Sequence, residues 1–252
     1  MELYSKSEIF EVIKKFLKEN KDSVLEILGP TASGKTGFAI EIAQKFGPAE
    51  IISVDSRQIY KDINIASAKA TAEEMRGVPH WGLDLISPAD KYSVAEFQQY
   101  AFEKIKEIQA RKALPILCGG TMLWLDAISE NYLFSGEQGE KSTKKGKPRF
   151  PVLKVGIHWE REKLYERINK RSEIMFQNGL IEETREILKK HEMGYQALTS
   201  FGYLELQKFI EGEISKNRAL ELNKQRNRNY AKRQLTWWRG REDVHWIKLV
   251  GK

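Results

Sequence analysis

Two hydrophobic periods alternate along the first 130 residues. Mainly apolar runs at 24–28, 50–55 and 114–118 are too short for helices and read as strands. Residues 7–20, 37–43 and 93–111 instead repeat their apolar positions at helical spacing. Ser5 with Glu8 and Ser93 with Glu96 have capping-box spacing ahead of two of these helices. Residues 81–85 read as a further short strand. The pattern then breaks: 130–151 is polar and rich in Lys and Gly, and reads as a mobile loop. A strand at 152–157 follows, with helices at 160–178, 181–191, about 203–210 and 215–239, and an edge strand at 244–249. Strands separated by helices of this length indicate a parallel sheet with covering helices. The chain thus parses as an α/β protein: an N-terminal helix (1–22), a core (23–129), the Lys/Gly-rich loop (130–151) and a remainder with a helical C-terminal part (152–252).

Charge changes this picture more than composition does. The chain has 252 residues, 41% hydrophobic and 31% charged, which suits a folded domain and excludes a disordered chain. From Ser215 to Lys252 there are eleven Lys/Arg and three Asp/Glu, a local net of +8 against +7 for the whole chain. The first 214 residues therefore sum to −1. A basic C-terminal segment is what a protein that meets phosphate backbones carries, although a solvated basic helix gives the same signal. The single cysteine, Cys118, excludes an internal disulfide and reads as a buried, inert thiol. No apolar run reaches the length of a membrane span and no signal-peptide pattern opens the chain, so no membrane partner and a cytoplasmic location are expected. A monomer is the working expectation.

The candidate chemistry begins at Gly29, Pro30, Thr31, Ala32, Ser33, Gly34, Lys35 and Thr36, which match G-x-x-x-x-G-K-[ST]. In that loop backbone N–H groups wrap a diphosphate, the lysine adds a point charge and the threonine hydroxyl holds Mg²⁺. A strand precedes it and a helix follows, so the loop opens onto a helix N-terminus, where the dipole favours anions. The competing reading is a glycine-rich turn without a ligand. Asp55 ends the next strand and has three possible roles: a Mg²⁺ ligand, a proton acceptor, or a helix N-cap for 56–60. Arg167 and Arg171 share a helix face and can clamp a leaving diphosphate, while spacing alone favours a solvated pair. Arg226, Tyr230, Arg233 and Trp237 form one stripe on the last helix, mixing cations for phosphates with aromatics that stack on bases; burial of the aromatics in the core is the alternative. No Cys/His cluster has metal-ligand spacing, and no nucleophilic triad assembles.

Taken together the motifs resemble tRNA dimethylallyltransferases (tRNA isopentenyltransferases) of the bacterial type. The resemblance runs through 29–36, 53–61, Ala66 to Lys69, Pro79-His80 with Leu83-Asp84, 92–97, 118–123, Phe201-Gly202-Tyr203 and 231–239, in that order. It implies a P-loop NTPase-like fold and transfer of a dimethylallyl group from dimethylallyl diphosphate to the exocyclic amine of the adenine 3′ of a tRNA anticodon. It further implies a diphosphate on 29–36 with Mg²⁺ on Thr36, Lys35 and Arg171 (with Arg167) absorbing leaving-group charge, and Asp55 as general base. Ser56, Arg57 and Gln58 would border the adenine, Thr121 would contact the reacting centre, and Arg226, Tyr230 and Arg233 would meet the anticodon stem-loop. Two departures stand out. The helical insertion usual between the Gly-Gly-Thr segment and the Arg-bearing helix is replaced by 130–151, and Trp124 stands where Tyr is common. An adenylate isopentenyltransferase and a small-molecule kinase remain the alternatives, the first favoured by the missing insertion and opposed by the basic C-terminal segment.

Overall fold

The computed structural model describes residues 2–135, 141–191, 195–199 and 202–249. Its centre is a seven-stranded, all-parallel sheet built from β1 (Leu3–Tyr4), β2 (Val24–Leu28), β3 (Ala49–Val54), β4 (His80–Trp81), β5 (Leu114–Gly119), β8 (Val152–His158) and β9 (Val244–Lys248), in the order β1-β9-β8-β2-β5-β3-β4. The apolar strands are continuous runs because both faces are covered. Val24, Leu28, Ile52, Val54 and Leu117 face one core, which α4 (Val94–Ala110), α5 (Met122–Ser129) and α9 (Lys216–Trp238) help to close. Leu25, Ile27, Ile51, Ile116 and Cys118 face the other, covered by α1 (Lys6–Glu19) and α2 (Lys35–Lys45). Glu26 interrupts the apolar run. It is 1% exposed and registers with Lys154 on β8. Burial pushes its carboxyl up to about 7, against the pull of the Lys154 charge.

The remaining helices are α3 (Ala72–Met75), α6 (Arg161–Gln177), α7 (Leu180–Lys190) and α8 (Tyr203–Ile210). Both capping boxes read from the sequence form, and Ser215 caps α9 by accepting from Arg218 N–H. Strands β2, β5 and β3 are neighbours, so Gly29, Gly120 and Asp55, which follow their carboxyl ends, share one rim. That is where ligands bind in open parallel sheets. Among the described residues no helix is long and apolar enough to cross a membrane.

Three expectations are corrected. The strand expected over 81–85 stops at Trp81, because Gly82 (φ +82°) and Asp84 (φ +53°) turn the backbone through left-handed conformations. The strand near the C-terminus is not at the edge, since the two-residue β1 pairs outside it. The stretch 130–151 is not simply a loop: β6 (Tyr132–Ser135) and β7 (Lys141–Lys145) pair as an antiparallel hairpin, its first strand carrying the alternating rings of Tyr132 and Phe134. The residues that join the two strands, 136–140, lie outside the described residues, as does Phe201 of the Phe-Gly-Tyr motif.

Candidate active site

The loop 29–36 folds as a cradle. Gly29, at φ +150°, is closely packed, since a Cβ there would lie 3.1 Å from Ser33 Oγ and 3.2 Å from Ile157 O. Gly34, at φ +91°, turns the chain into α2, so Lys35 and Thr36 stand at the helix N-terminus. Lys35 Nζ donates to Pro30 O at 2.8 Å, over the loop itself. Burial, helped by the Arg171 charge, pushes the Lys35 ammonium down to about 8, while Cys118 and Asp55 oppose that shift.

Arg167 and Arg171 come to this cradle from α6, one turn apart. Arg171 Nη2 donates to Thr31 Oγ1 at 2.6 Å and to Asn227 Oδ1 at 3.3 Å. Its Nε is buried with no hydrogen-bond partner, and burial pushes the guanidinium down to about 10. An arginine held this way is aimed by the protein but not neutralised by it. Arg167 Nε donates to Ala32 O at 2.9 Å, and its guanidinium lies 4.4 Å above the Trp159 ring. Trp159 in turn donates to Ser33 O at 2.9 Å. The pair is therefore part of the loop's scaffold, where spacing alone favoured solvated charges.

Across the same cavity lies Asp55. Its Oδ1 accepts from Arg57 N–H at 2.9 Å, an Asx turn in place of the helix cap that 56–60 offered as an alternative. Burial pushes its carboxyl up, opposed by that bond and by the charges of Lys35, Arg57 and Arg171. Thr121 Oγ1 accepts from Ser56 N–H at 3.0 Å and donates to Ser56 Oγ at 3.3 Å, joining the β3 and β5 ends. Gln58 lines the cavity with both ends of its amide engaged: it accepts from Ser53 Oγ at 2.6 Å and donates to Ser67 O and Ala68 O at 3.1 and 3.2 Å. It is a wall of the site. Arg57 Nη1 donates to Gln196 O at 2.9 Å.

Helix α9 closes the third side. Tyr230 OH donates to Gly120 O at 3.1 Å, burial pushes its phenol up, and Arg233 lies 5.5 Å from the centre of its ring. Arg226 reaches the cavity wall while paired with Glu205 at 2.6 Å. Trp237 is 43% exposed, with its indole N–H on Asp126 Oδ2 at 2.8 Å, and Trp238 is in the core. Two residues that sequence reasoning passed over also act here. Asn227 receives Arg171, and Gln234 spans the phosphate loop and Gly120. The cavity, open to solvent, is about 1410 Å³ and is lined from all three sides. Single small-molecule sites run to about 300–1,000 Å³, so this one has room for two reactants. Burial pushes the Cys118 thiol at its wall up to about 11, which keeps it an unreactive thiol.

These features match a known group. The family model described as IPP transferase fits residues 58–142 and 132–241. The chain belongs to this family. A tRNA dimethylallyltransferase of Acetivibrio thermocellus is 35% identical over 290 aligned positions, covering 90% of this chain and 91% of that protein. Among solved structures, the full-length tRNA isopentenylpyrophosphate transferase of Bacillus halodurans superposes with a TM-score of 0.81 at 30% identity, covering 90% of each chain. The tRNA delta(2)-isopentenylpyrophosphate transferase of Staphylococcus epidermidis gives 0.80 at 34%, covering 90% of this chain and 93% of the other. The fold is that of the IPP transferases, and the chain is a prenyltransferase. It is also a short member. An alignment of 290 positions against a chain of 252 residues leaves at least 38 positions, the excess of the first over the second, without a counterpart here. The two segments of the family match meet at 132–142, within the hairpin.

Proposed function

We propose that this chain transfers a dimethylallyl group from dimethylallyl diphosphate to the exocyclic N6 of the adenine 3′ of the anticodon in tRNA. One observation carries the reading: a single cavity has a diphosphate cradle with Lys35 and Arg171 on one wall and a half-buried carboxylate, Asp55, with Thr121 on the other. The curated relatives' name, tRNA dimethylallyltransferase, points the same way.

The chemistry follows from the placement. The cradle's backbone N–H groups, Lys35 and Arg171 take up charge as the C–O bond to the diphosphate breaks and an allyl cation develops. Arg167, also on the cavity wall, steadies the loop through Ala32 O. N6 of the adenine, a weak nucleophile because its lone pair is delocalised, forms the new C–N bond. Asp55 accepts the proton that N6 loses, and its raised pKa makes it a better base than a solvated aspartate. Ser56, Arg57 and Thr121 border the base, which leaves its stack to enter the cavity. Tyr230 and Arg233 meet the stem-loop backbone and flanking bases, beside Arg226, whose charge Glu205 already holds.

Thr36 lines the cavity beside Lys35, and among the described residues no group of three or more His, Cys, Asp or Glu surrounds a metal position. A Mg²⁺ held there would take its protein ligand from the Thr36 hydroxyl and would need diphosphate oxygens and water to complete its shell. When bound, it supplies additional charge to the leaving group. We place the residues missing relative to longer family members at the 132–145 hairpin, where the family match divides.

The test offers labelled dimethylallyl diphosphate with unmodified tRNA, AMP or ATP as acceptor. Label in tRNA at that adenine is the expected result. Label in AMP or ATP alone makes the chain an adenylate prenyltransferase, and ATP hydrolysis without label transfer makes it a kinase or nucleotidase.

A further inference from the structure

Gln234 is 1% exposed, yet its amide holds two loops together. Its Oε1 accepts from Thr31 N–H in the phosphate loop at 2.8 Å, and its Nε2 donates to Gly120 O, beside Thr121, at 2.8 Å. The fit leaves no slack: a Cβ on Gly120 would lie 2.5 Å from Gln234 Nε2. Asn227, Tyr230 and Gln234 fall at i, i+3 and i+7, so one face of α9 carries all three. Through Asn227 and Arg171 that face also reaches Thr31 Oγ1, and through Tyr230 it reaches Gly120 O a second time. A neutral amide can accept from one backbone group and donate to another in one plane, and the shorter asparagine would not span the gap.

We propose that Gln234 is a positioning residue that sets the register between the diphosphate cradle and the acceptor side of the site. The inference rests on the prenyl-transfer reading above. The two loops carry the two ends of the reaction: the cradle holds the leaving group, and the Gly119–Thr121 turn borders the base with Asp55. A displacement of about 1 Å between reacting groups costs on the order of 10²-fold in rate, while either substrate alone still finds its own loop intact. Loss of register also admits water. Water would then add to the allyl carbon as the C–O bond breaks, lose a proton to solvent, and give dimethylallyl alcohol and free diphosphate.

The experiment is steady-state kinetics on Gln234→Met, which keeps length and loses both bonds, with thermal melting as the check on folding. The expected result is a kcat lower by about 10- to 100-fold, KM for dimethylallyl diphosphate and for the stem-loop within about threefold of wild type, and more dimethylallyl alcohol per prenylated RNA. Gly120→Ala, which pushes the same amide aside, should reproduce that split and serves if the first variant does not fold. An unchanged kcat in a folded variant, or a loss confined to KM, overturns the assignment. Wild-type protein that labels no RNA would instead overturn the prenyl-transfer reading on which it rests.

Discussion

Raising the pH from 7 to 9 should weaken the binding of dimethylallyl diphosphate about tenfold, and the cause is one lysine. Lys35 titrates at about 8 because burial strips its ammonium of water with Arg171 close by. A seated diphosphate replaces that lost solvation with charge, and returns the group toward its ordinary 10.5 or above. The charged fraction of Lys35 in the free protein falls from about nine-tenths at pH 7 to about one-tenth at pH 9, so binding must first restore a proton. That is roughly a tenfold loss of affinity, ~1.4 kcal/mol, with about half a proton taken up per diphosphate at pH 8. Arg171, at about 10, keeps its charge across this window, and a phosphate whose last pKa is about 6 is already ionised.

Calorimetric titration at fixed Mg²⁺, at pH 8 in two buffers of different ionisation enthalpy, measures the proton uptake directly, and a pH series gives the affinity. The free protein should show the opposite trend. Its folded state binds fewer protons than the unfolded chain between about 8 and 10.5, so its stability rises with pH there. Lys35→Arg keeps the charge at every pH in the range and should flatten the affinity profile. An affinity constant from pH 7 to 9, with heats independent of buffer, would refute the idea that an uncompensated ammonium waits in the cradle.

Asp55→Asn should lower kcat by about 10²–10⁴ while diphosphate binding persists, as measured by single-turnover labelling of RNA and by calorimetry. In wild type the acid limb of kcat/KM should lie above the ordinary aspartate value of 3.8, since turnover needs the ionised form and burial raises the pKa. Replacing Lys232 and Arg233 by Gln should make the salt dependence of stem-loop binding shallower by up to about 0.7–0.9 for each phosphate that is no longer neutralised, read from the slope of log K against log[salt]. An unchanged slope leaves both as solvated surface charges. Glu183→Gln should destabilise the fold by about 2 kcal/mol, or roughly 4–8 °C in Tm. Glu183 alone accepts from the N–H groups of Asn64, Ile65 and Ala66, at 2.9, 2.7 and 2.9 Å.

What the sequence revealed and what it hid differ in physical kind. The cradle was legible because its geometry is set locally: glycines at a close approach and a left-handed turn, followed by a helix start, are properties of eight consecutive residues. Asp55 was legible as a carboxylate on the rim, but the surroundings that push its carboxyl up were not. Arg171 and Arg167 could not be ranked from spacing, since an i, i+4 pair looks alike whether it faces water or Thr31. Lys69 reads as part of a motif, and its job is a pin: its ammonium binds Tyr60 O at 2.6 Å and Asp84 Oδ1 at 2.6 Å. The second strand of the hairpin was hidden by its polarity, because a lysine-rich strand has no apolar alternation to betray it. Gln234 was hidden because a polar residue on a polar helix carries no periodic signal, and its two partners lie 203 and 114 residues away.

The charge count of the C-terminal segment shows how such hidden contacts alter a functional inference. Eleven Lys/Arg over Ser215 to Lys252 suggest a broad phosphate-binding surface. Several of them are already occupied: Lys224 pairs with Glu173 and Glu221, Arg226 with Glu205, Arg241 with the buried Asp126, and Lys248 with Glu160. Arg228 donates to Asn169 at 2.6 Å, which ties α9 to α6. Lys216, Arg218, Lys232, Arg233 and Arg239 are in no ion pair among the described residues, and of these Arg233 borders the cavity. The number of phosphates that α9 neutralises should therefore follow the unpaired cations and fall well short of eleven. The paired ones do different work. They hold the helix whose inner face carries Asn227, Tyr230 and Gln234, so the same basic segment fixes the loop at 29–36 on its inner side.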